Sequence, residues 1–84
     1  MTQRKGLYLE DFEVGQTFST AARTVTEADI VIFTGLSGDF NPLHTDEEFC
    51  KTTPHGGRIA QGLLGGSIAS GLTAQTGLLS GTAL

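Results

Sequence analysis

The pattern of apolar and polar positions divides the chain into a strand-like segment followed by helical ones. Residues 16–25 are rich in β-forming side chains: Thr17, Phe18, Thr20, Thr24 and Val25. β-branched and aromatic residues favour the pleated backbone of a sheet, although their alternation here is imperfect. We therefore predict a strand over residues 16–25. Just before it, residues 9–12 are predicted to form one helical turn.

A helix is predicted directly after this strand. Thr26 is a favourable N-cap, and Glu27 and Asp29 place negative charge at the positive end of the helix dipole. The apolar positions follow helical spacing: Ala28, Val31, Ile32 and Leu36, with Phe33 beside them. Gly35 and Gly38 end the helix, since glycine readily adopts the left-handed conformation of a C-terminal cap.

A second, short helix is predicted to begin just after His44. Residues 45–48 have the sequence of a capping box, in which a threonine and the glutamate three positions later satisfy each other's backbone groups. Phe49 and Cys50 would turn inward from this helix. The proline and glycines that follow predict a loop over residues 52–58, with His55 facing solvent.

The last predicted element is a long helix from about Ile59 into the region of Leu78. Its positions form two stripes: Leu64, Ile68, Leu72 and Gln75 on one, and Leu63, Ser67, Ser70 and Gly71 on the other. Eight of the twelve glycines lie between positions 56 and 81. Because each interior glycine costs about 1 kcal/mol relative to alanine, this helix needs close packing against another element.

Length and charge limit the classes of function. Eighty-four residues suffice for one small domain, and a net charge of −4 argues against a nucleic-acid partner. The single cysteine cannot form an intramolecular disulfide, which suits a reducing cytoplasm. No charged residue follows Arg58, so a membrane helix is an alternative. Gln61 and Gln75 interrupt that apolar stretch, and soluble buried helices share its composition, so we expect no membrane partner.

Residues 37–44, with the sequence SGDFNPLH, carry the candidate chemistry. They combine the carboxylate of Asp39 with the imidazole of His44 and place the carboxamide of Asn41 between them. Because Gly38 and Pro42 disfavour a continuous helix, we expect Asn41 to be extended and the segment to be a turn. An acid and a base on such a turn suit a catalytic loop, although aspartate and asparagine are also common turn formers.

A metal site is the other interpretation of this region. The candidate ligands are His44, Asp46, Glu48 and His55. The histidines lack the i, i+4 spacing of a helical zinc motif, and one cysteine adds no ligand set. Neither a phosphate-binding loop nor a serine hydrolase elbow is present. We therefore expect no metal and no other cofactor.

Residues 33–44 resemble the hydratase motif of the MaoC-like (R)-specific enoyl-CoA hydratases and dehydratases. The similarity also covers residues 8–15, 46–49 and 57–70. Members of this family have an α+β hot dog fold, in which a curved antiparallel sheet wraps a long central helix. The resemblance implies reversible hydration of a trans-2-enoyl-CoA or acyl-carrier thioester to the (R)-3-hydroxyacyl product. It also implies a homodimer or a higher homo-oligomer.

The resemblance assigns roles to individual residues. Asp39 and His44 would bind the water and transfer its protons, and Asn41 would hold the loop or the water. The backbone amide of Gly62 would stabilise the thioester oxygen, although a glycine at a helix start can also serve packing alone. Ser70 matches a family serine near the catalytic pair and would bind substrate.

Two departures from the family pattern matter: Gln61 puts an acid–base role at its own position in doubt, and the short length of the chain leaves a second function open. Gln61, a candidate substrate-binding residue, stands where the family often has histidine, and glutamine cannot carry a proton. In the family, four or more strands follow the central helix, and residues 80–84 stand about where the first would begin. We therefore expect residues 1–84 to be the N-terminal part of one hot dog domain, truncated after its central helix.

These departures set the expectations for the isolated chain. The alternative function is a non-catalytic acyl-thioester binding module, and a thioesterase on the same fold is a weaker third. The apolar last helix would leave an exposed patch larger than soluble monomers usually tolerate. We therefore expect the 84-residue polypeptide alone to be inactive, and to be unfolded or self-associated.

Overall fold

The computed structural model describes residues 6–81, and these residues form helices without any β-strand. A 3₁₀ turn spans Leu9–Asp11, and four α-helices follow: α1 (Glu27–Ser37), α2 (Pro42–Thr45), α3 (Glu47–Cys50) and α4 (Gly62–Gln75). The residues group into two compact units. The first unit contains residues 6–23 and 68–81 of the described range, and the second contains residues 24–67.

The strand predicted over residues 16–25 is absent. This segment has no regular secondary structure, and the side chain of Phe18 is 46% exposed. A strand is stable only when a neighbour pairs with its backbone N–H and C=O groups. The described residues contain no second strand that could do so. The β-forming side chains are therefore not sufficient to make a strand here.

The first unit has other local structure that the sequence indicated. The helical turn predicted at residues 9–12 is confirmed as the 3₁₀ turn, where the Asp11 carboxylate accepts a hydrogen bond from the backbone N–H of Tyr8 at 2.9 Å. The rings of Phe12 and Phe18 meet edge to face, with centroids 6.0 Å apart. Near the other end of the described range, the backbone N–H of Leu7 donates to the carbonyl of Leu78 at 2.6 Å.

Helix α1 begins after Thr26 and ends before Gly38 as predicted, whereas Gly35, which was also predicted to end it, lies within the helix. The Thr26 hydroxyl accepts a hydrogen bond from the N–H of Asp29, and the Asp29 carboxylate accepts one from the N–H of Thr26, which completes a capping box. At the other end, Gly38 has a φ of 77° and donates its N–H to the carbonyl of Thr34. A side chain would strain that left-handed conformation, so glycine suits the position.

The short helices differ in detail from the prediction. The segment after Asn41 is a helical turn rather than an irregular one, because Pro42 is well suited to the first position of a helix. Asp46, and not Thr45, caps α3: its carboxylate accepts a hydrogen bond from the N–H of Phe49 at 3.0 Å. The hydroxyl of Thr45 instead donates to carbonyl oxygens of the preceding loop.

Helix α4 begins at Gly62 rather than at Ile59, and ends at Gln75 rather than near Leu78. The carbonyl of Gln61 accepts from the N–H groups of the first helical turn. Ile59 cannot join the helix, because its N–H donates to the carbonyl of Leu43 and its carbonyl accepts from the ring of His44. Past the other end, Gly77 has a φ of 78°, which is a left-handed conformation that stops a helix.

The second unit has a small core. Its buried residues are Cys50, Leu64, Thr34 and Gln61. Cys50 turns inward as predicted, whereas Phe49 remains 44% exposed. Val31, Ile32 and Leu36, the predicted apolar face of α1, are each more than half exposed. The same holds for Leu63 on α4, so much apolar surface is uncovered in this chain. Within residues 6–81, no helix is long and apolar enough to cross a membrane.

Candidate active site

The loop between α1 and α2 is held by side chains of its own residues. The hydroxyl of Ser37 donates to the carbonyl of Phe33 at 2.7 Å and accepts from the N–H of Asp39 at 3.1 Å. Asp39 Oδ1 accepts from the N–H of Asn41 at 3.3 Å. Each of these contacts spans no more than four residues, so the loop conformation is encoded locally. The second carboxylate oxygen of Asp39, Oδ2, faces His44.

Asp39 and His44 come together as the sequence predicted. Asp39 Oδ2 lies 3.6 Å from His44 Nε2, and the imidazole is 10% exposed while the carboxylate is 47% exposed. A direct hydrogen bond is shorter than this, at about 2.7–3.2 Å. The two groups therefore face each other at a separation that allows both to bind one water molecule.

The other ring nitrogen fixes the tautomer of His44. Nδ1 lies 2.8 Å from the carbonyl oxygen of Ile59. A carbonyl can only accept a hydrogen bond, so Nδ1 must carry the proton. In the neutral imidazole, the lone pair is then on Nε2, which faces Asp39. A nitrogen lone pair beside a carboxylate is a suitable base for a water proton.

Ile59 binds α2 through both of its backbone polar groups. Its carbonyl accepts from His44, and its N–H donates to the carbonyl of Leu43 at 3.0 Å. The thiol of Cys50 adds contacts to the carbonyls of Pro42 and Leu43, at 3.3 and 3.2 Å. Burial raises the pKa of this thiol, and the nearby carboxylates of α3 raise it further. The thiol therefore keeps its proton and serves as a donor that anchors α2.

Asn41 binds the loop through its side chain. Its Oδ1 accepts a hydrogen bond from the N–H of Leu43 at 3.0 Å, which caps α2. Of the two roles that the resemblance allowed, this contact favours holding the loop. A role of Asn41 in binding the water stays a prediction.

Gln61 is 3% exposed, and its side chain binds α1. Its amide Nε2 donates to the hydroxyl of Thr34 at 2.8 Å and lies 3.3 Å from the carbonyl of Ile30. Because the carbonyl of Ile30 can only accept, it is the amide Nε2 and not Oε1 that faces it. Its Oε1 is buried without a hydrogen-bond partner among the described residues. Gln61 thus links the start of α4 to α1, and a direct substrate contact stays a prediction.

Gly62 is the first residue of α4, where the helix dipole is positive. No heavy atom of the described residues outside its own helix and chain neighbours lies within 4 Å of where a Cβ would stand. The same is true of Gly65 and Gly66. Close packing on these glycines is therefore not seen, and the space beside the Gly62 backbone is open.

Ser70 belongs to the first unit, where it lines a cavity of about 310 Å³ with Ala74, Leu79 and Ser80. Asp39 and His44, the predicted catalytic pair, belong to the second unit. A role of Ser70 beside the pair, or in binding substrate, stays a prediction.

A cavity of about 440 Å³ lies beside His44. Its lining residues are Val31, Thr34, Gly35, Phe40, His44, Thr45 and Arg58. Ligand pockets are commonly of this size and combine apolar walls with a few polar groups. Within residues 6–81, no group of three or more His, Cys, Asp or Glu side chains is arranged to hold a metal ion.

Sequence reasoning missed Arg58 and Ile59 as parts of this site. The Arg58 guanidinium pairs with Glu27 of α1 and Glu47 of α3. The hydrogen bond that Arg58 donates to Glu47 and the negative charge of Glu27 raise the pKa of Arg58 above the usual arginine value. The available signal was that Arg58 is the last charged residue of the chain. Ile59 acts through backbone atoms, which leave no signature in sequence.

Known proteins are similar to this chain in sequence. Residues 11–83 match the family described as MaoC like domain, so the chain belongs to that family. It is 44% identical over 63 residues to an (R)-specific enoyl-CoA hydratase of Rhodospirillum rubrum, covering 75% of this chain and 43% of the relative. It is 46% identical over 57 residues to a 3-hydroxybutyryl-CoA dehydratase of Methylorubrum extorquens, covering 68% and 36%.

A solved structure supports the same conclusion. A monoamine oxidase regulatory protein from Archaeoglobus aligns with a TM-score of 0.80 and 45% identity, over 95% of this chain and 52% of that one. The solved structures that resemble this chain are hot dog fold proteins of the MaoC-like type. The chain spans less than half the length of the two curated relatives.

Proposed function

We propose that the native protein reversibly adds water to a trans-2-enoyl thioester, giving the (R)-3-hydroxyacyl product. The observation that carries this proposal is the 3.6 Å separation of Asp39 Oδ2 and His44 Nε2, with His44 Nδ1 committed to the Ile59 carbonyl. The geometry leaves one basic nitrogen and one carboxylate oxygen for a single water. The names of the two curated relatives support the same reaction class.

The reaction adds the two parts of water across a double bond. As the water oxygen bonds to carbon 3, Asp39 and His44 take up one of its protons, and a proton is returned to carbon 2. The pair ends in its starting protonation state. Such acid–base assistance contributes about 10²–10⁴-fold to the rate.

The electrons displaced from the double bond reach the thioester oxygen, which gains negative charge before carbon 2 is protonated. The N–H of Gly62 at the start of α4 would donate to that oxygen, aided by the helix dipole. The open space beside Gly62 suits the approach of a carbonyl group. The cavity beside His44 would receive the part of the substrate next to the reacting carbons.

The proposal extends to the fold and the partners. Helix α4 corresponds to the central helix of the hot dog fold, around which a sheet would wrap. The substrate is an acyl-CoA or an acyl-carrier thioester. The exposed apolar side chains of α1 and α4 favour a homodimer or a higher homo-oligomer. The composition, with its single thiol, favours the cytoplasm.

Crotonyl-CoA tests the activity. The native gene product should remove the absorbance of the enoyl thioester, and chiral analysis should find the (R)-3-hydroxyacyl product. Asp39→Asn is the matched control, since it keeps the size of the side chain and removes its charge. If the parent protein removes the enoyl absorbance no faster than Asp39→Asn does, the proposal is rejected.

A non-catalytic acyl-thioester binding module is the second candidate. The observation in its favour is Gln61, a residue that cannot carry a proton at a position where the family often has histidine. Binding of crotonyl-CoA in calorimetry, with no change in the enoyl absorbance, would support this candidate over the hydratase.

A further inference from the structure

Arg58 joins two helix starts that lie far apart in sequence. Its Nη2 lies 2.8 Å from a carboxylate oxygen of Glu27, in the first turn of α1. Its Nε lies 3.0 Å from a carboxylate oxygen of Glu47, in the first turn of α3. The guanidinium has a planar set of five donors and can bind two carboxylates at once, which a lysine ammonium does less well.

The residue that follows Arg58 holds the catalytic imidazole. The carbonyl of Ile59 accepts a hydrogen bond from Nδ1–H of His44 at 2.8 Å, and its N–H donates to the carbonyl of Leu43 at 3.0 Å. The backbone at residues 58 and 59 is therefore fixed on one side by two ion pairs and on the other by α2. If the Ile59 carbonyl moves, His44 loses the acceptor that orients its ring.

A second ion pair in the same unit lacks this connection. Lys51 Nζ lies 2.9 Å from Glu48 Oε1, within three residues on one helix end. Lys51 is 57% exposed, whereas Arg58 is 21% exposed. Exposed single pairs of this type contribute about 0–1 kcal/mol to stability. The Lys51 pair is therefore a matched control for the loss of a cation.

We propose that Arg58 is a positioning residue for the catalytic imidazole: by binding Glu27 and Glu47, it fixes Ile59, whose carbonyl sets the tautomer and direction of His44. This inference rests on the proposed hydratase function for its kinetic consequence. Its structural consequence, an oriented Nδ1 proton on His44, does not depend on that function.

The experiment compares Arg58→Met, Arg58→Lys and Lys51→Met in the native protein. A displacement of about 1 Å in a positioned group costs up to about 10²-fold in rate. Arg58→Met should therefore lower kcat by about 10–100-fold with KM within a few-fold, and Arg58→Lys should recover part of the loss. Lys51→Met should leave both constants unchanged.

Proton NMR of the imidazoles gives the second readout. The His44 signals are identified by their absence in His44→Gln. The hydrogen-bonded Nδ1 proton should be protected from exchange in the parent protein and in Lys51→Met, and lost or shifted in Arg58→Met. If Arg58→Met does not fold, Glu27→Gln combined with Glu47→Gln removes the same ion pairs and keeps the arginine.

The outcomes separate the two proposals. A parent protein that shows the protected proton but no turnover rejects the hydratase and leaves the NMR comparison to decide the role of Arg58. A kcat within twofold of the parent, or an unchanged Nδ1 signal in the variant that lacks both ion pairs, would overturn the positioning role. A loss seen only in KM would overturn it as well.

Discussion

The helix ends of the second unit and the chain pairing of the first unit depend on different kinds of contact. In the second unit, helix ends are set by side chains three or four residues away, as at Thr26 and Asp46. In the first unit, the backbone of Leu7 bonds to Leu78, 71 positions along the chain. Local contacts form at little cost in chain entropy, whereas distant ones depend on the whole fold. Asp39 and His44 lie in a part of the second unit whose loop, from Ser37 to Asn41, is specified by local contacts.

The largest expected effect tests whether the two side chains on that locally specified segment, Asp39 and His44, catalyse the reaction. Asp39→Asn and His44→Ala, made in the native protein, should each lower kcat by about 10²–10⁴-fold. The physical reason is that either change removes one of the two groups proposed to bind the reacting water. Steady-state kinetics with crotonyl-CoA measures the effect, and KM should change far less. Turnover like that of the parent in either variant would contradict the assignment.

The next effect distinguishes catalysis from packing at the start of α4. A methyl group at Gly62 would enter the open space that the thioester carbonyl needs. Gly62→Ala should lower kcat by about 10²-fold, near the loss seen when an oxyanion donor is removed. It should not reduce stability, because nothing in the described residues would clash with it.

Gly65→Ala is the matched control, since it lies one turn further along the same helix and is equally unobstructed. It should retain full activity and melt no lower than the parent, because alanine favours a helix over glycine by about 1 kcal/mol. If Gly62→Ala stays fully active while its melting temperature falls, the glycine serves packing alone.

The sequence predicted what is local in this chain. Both ends of α1 follow from Thr26 and Gly38, and the pairing of Asp39 with His44 was implied by the resemblance of residues 33–44 to the hydratase motif. The prediction of a strand over residues 16–25 was wrong, because a strand is stable only beside a partner strand. The predicted start of α4 was wrong because the backbone of Ile59 binds Leu43 and His44. Sixteen positions separate Ile59 from Leu43, so this contact is not local. Composition and periodicity contain no information about such pairings.

A third prediction concerns the buried link between α1 and α4. Thr34→Val removes one of the two acceptors of the Gln61 amide and leaves the Ile30 carbonyl as the other, so one buried N–H of Gln61 loses its partner. A buried polar group left unpaired costs about 1–3 kcal/mol. Denaturant unfolding of the native protein should show a loss of that size.

Thr73→Val is the comparison from the first unit. The Thr73 hydroxyl donates to the carbonyl of Ala69, four residues back on its own helix, so that no other side chain loses a partner. Its cost should stay within about 0.5 kcal/mol. Equal losses from Thr34→Val and Thr73→Val would mean that Gln61 is satisfied in some other way.

The smallest expected effect concerns the helix caps, one from each unit. Thr26→Ala removes the hydroxyl that caps α1 and should cost about 1 kcal/mol in the free energy of unfolding. Thr26→Ser keeps the hydroxyl and should cost much less.

Asp11→Ala is the comparison from the first unit. It removes the carboxylate that accepts from the N–H of Tyr8 at the 3₁₀ turn, but that turn has three exposed residues and little helix to stabilise. Its cost should stay within about 0.5 kcal/mol. Denaturant unfolding of the three variants measures the difference. A loss from Asp11→Ala as large as that from Thr26→Ala would show that local capping stabilises both units alike, and the contrast between them would then not hold.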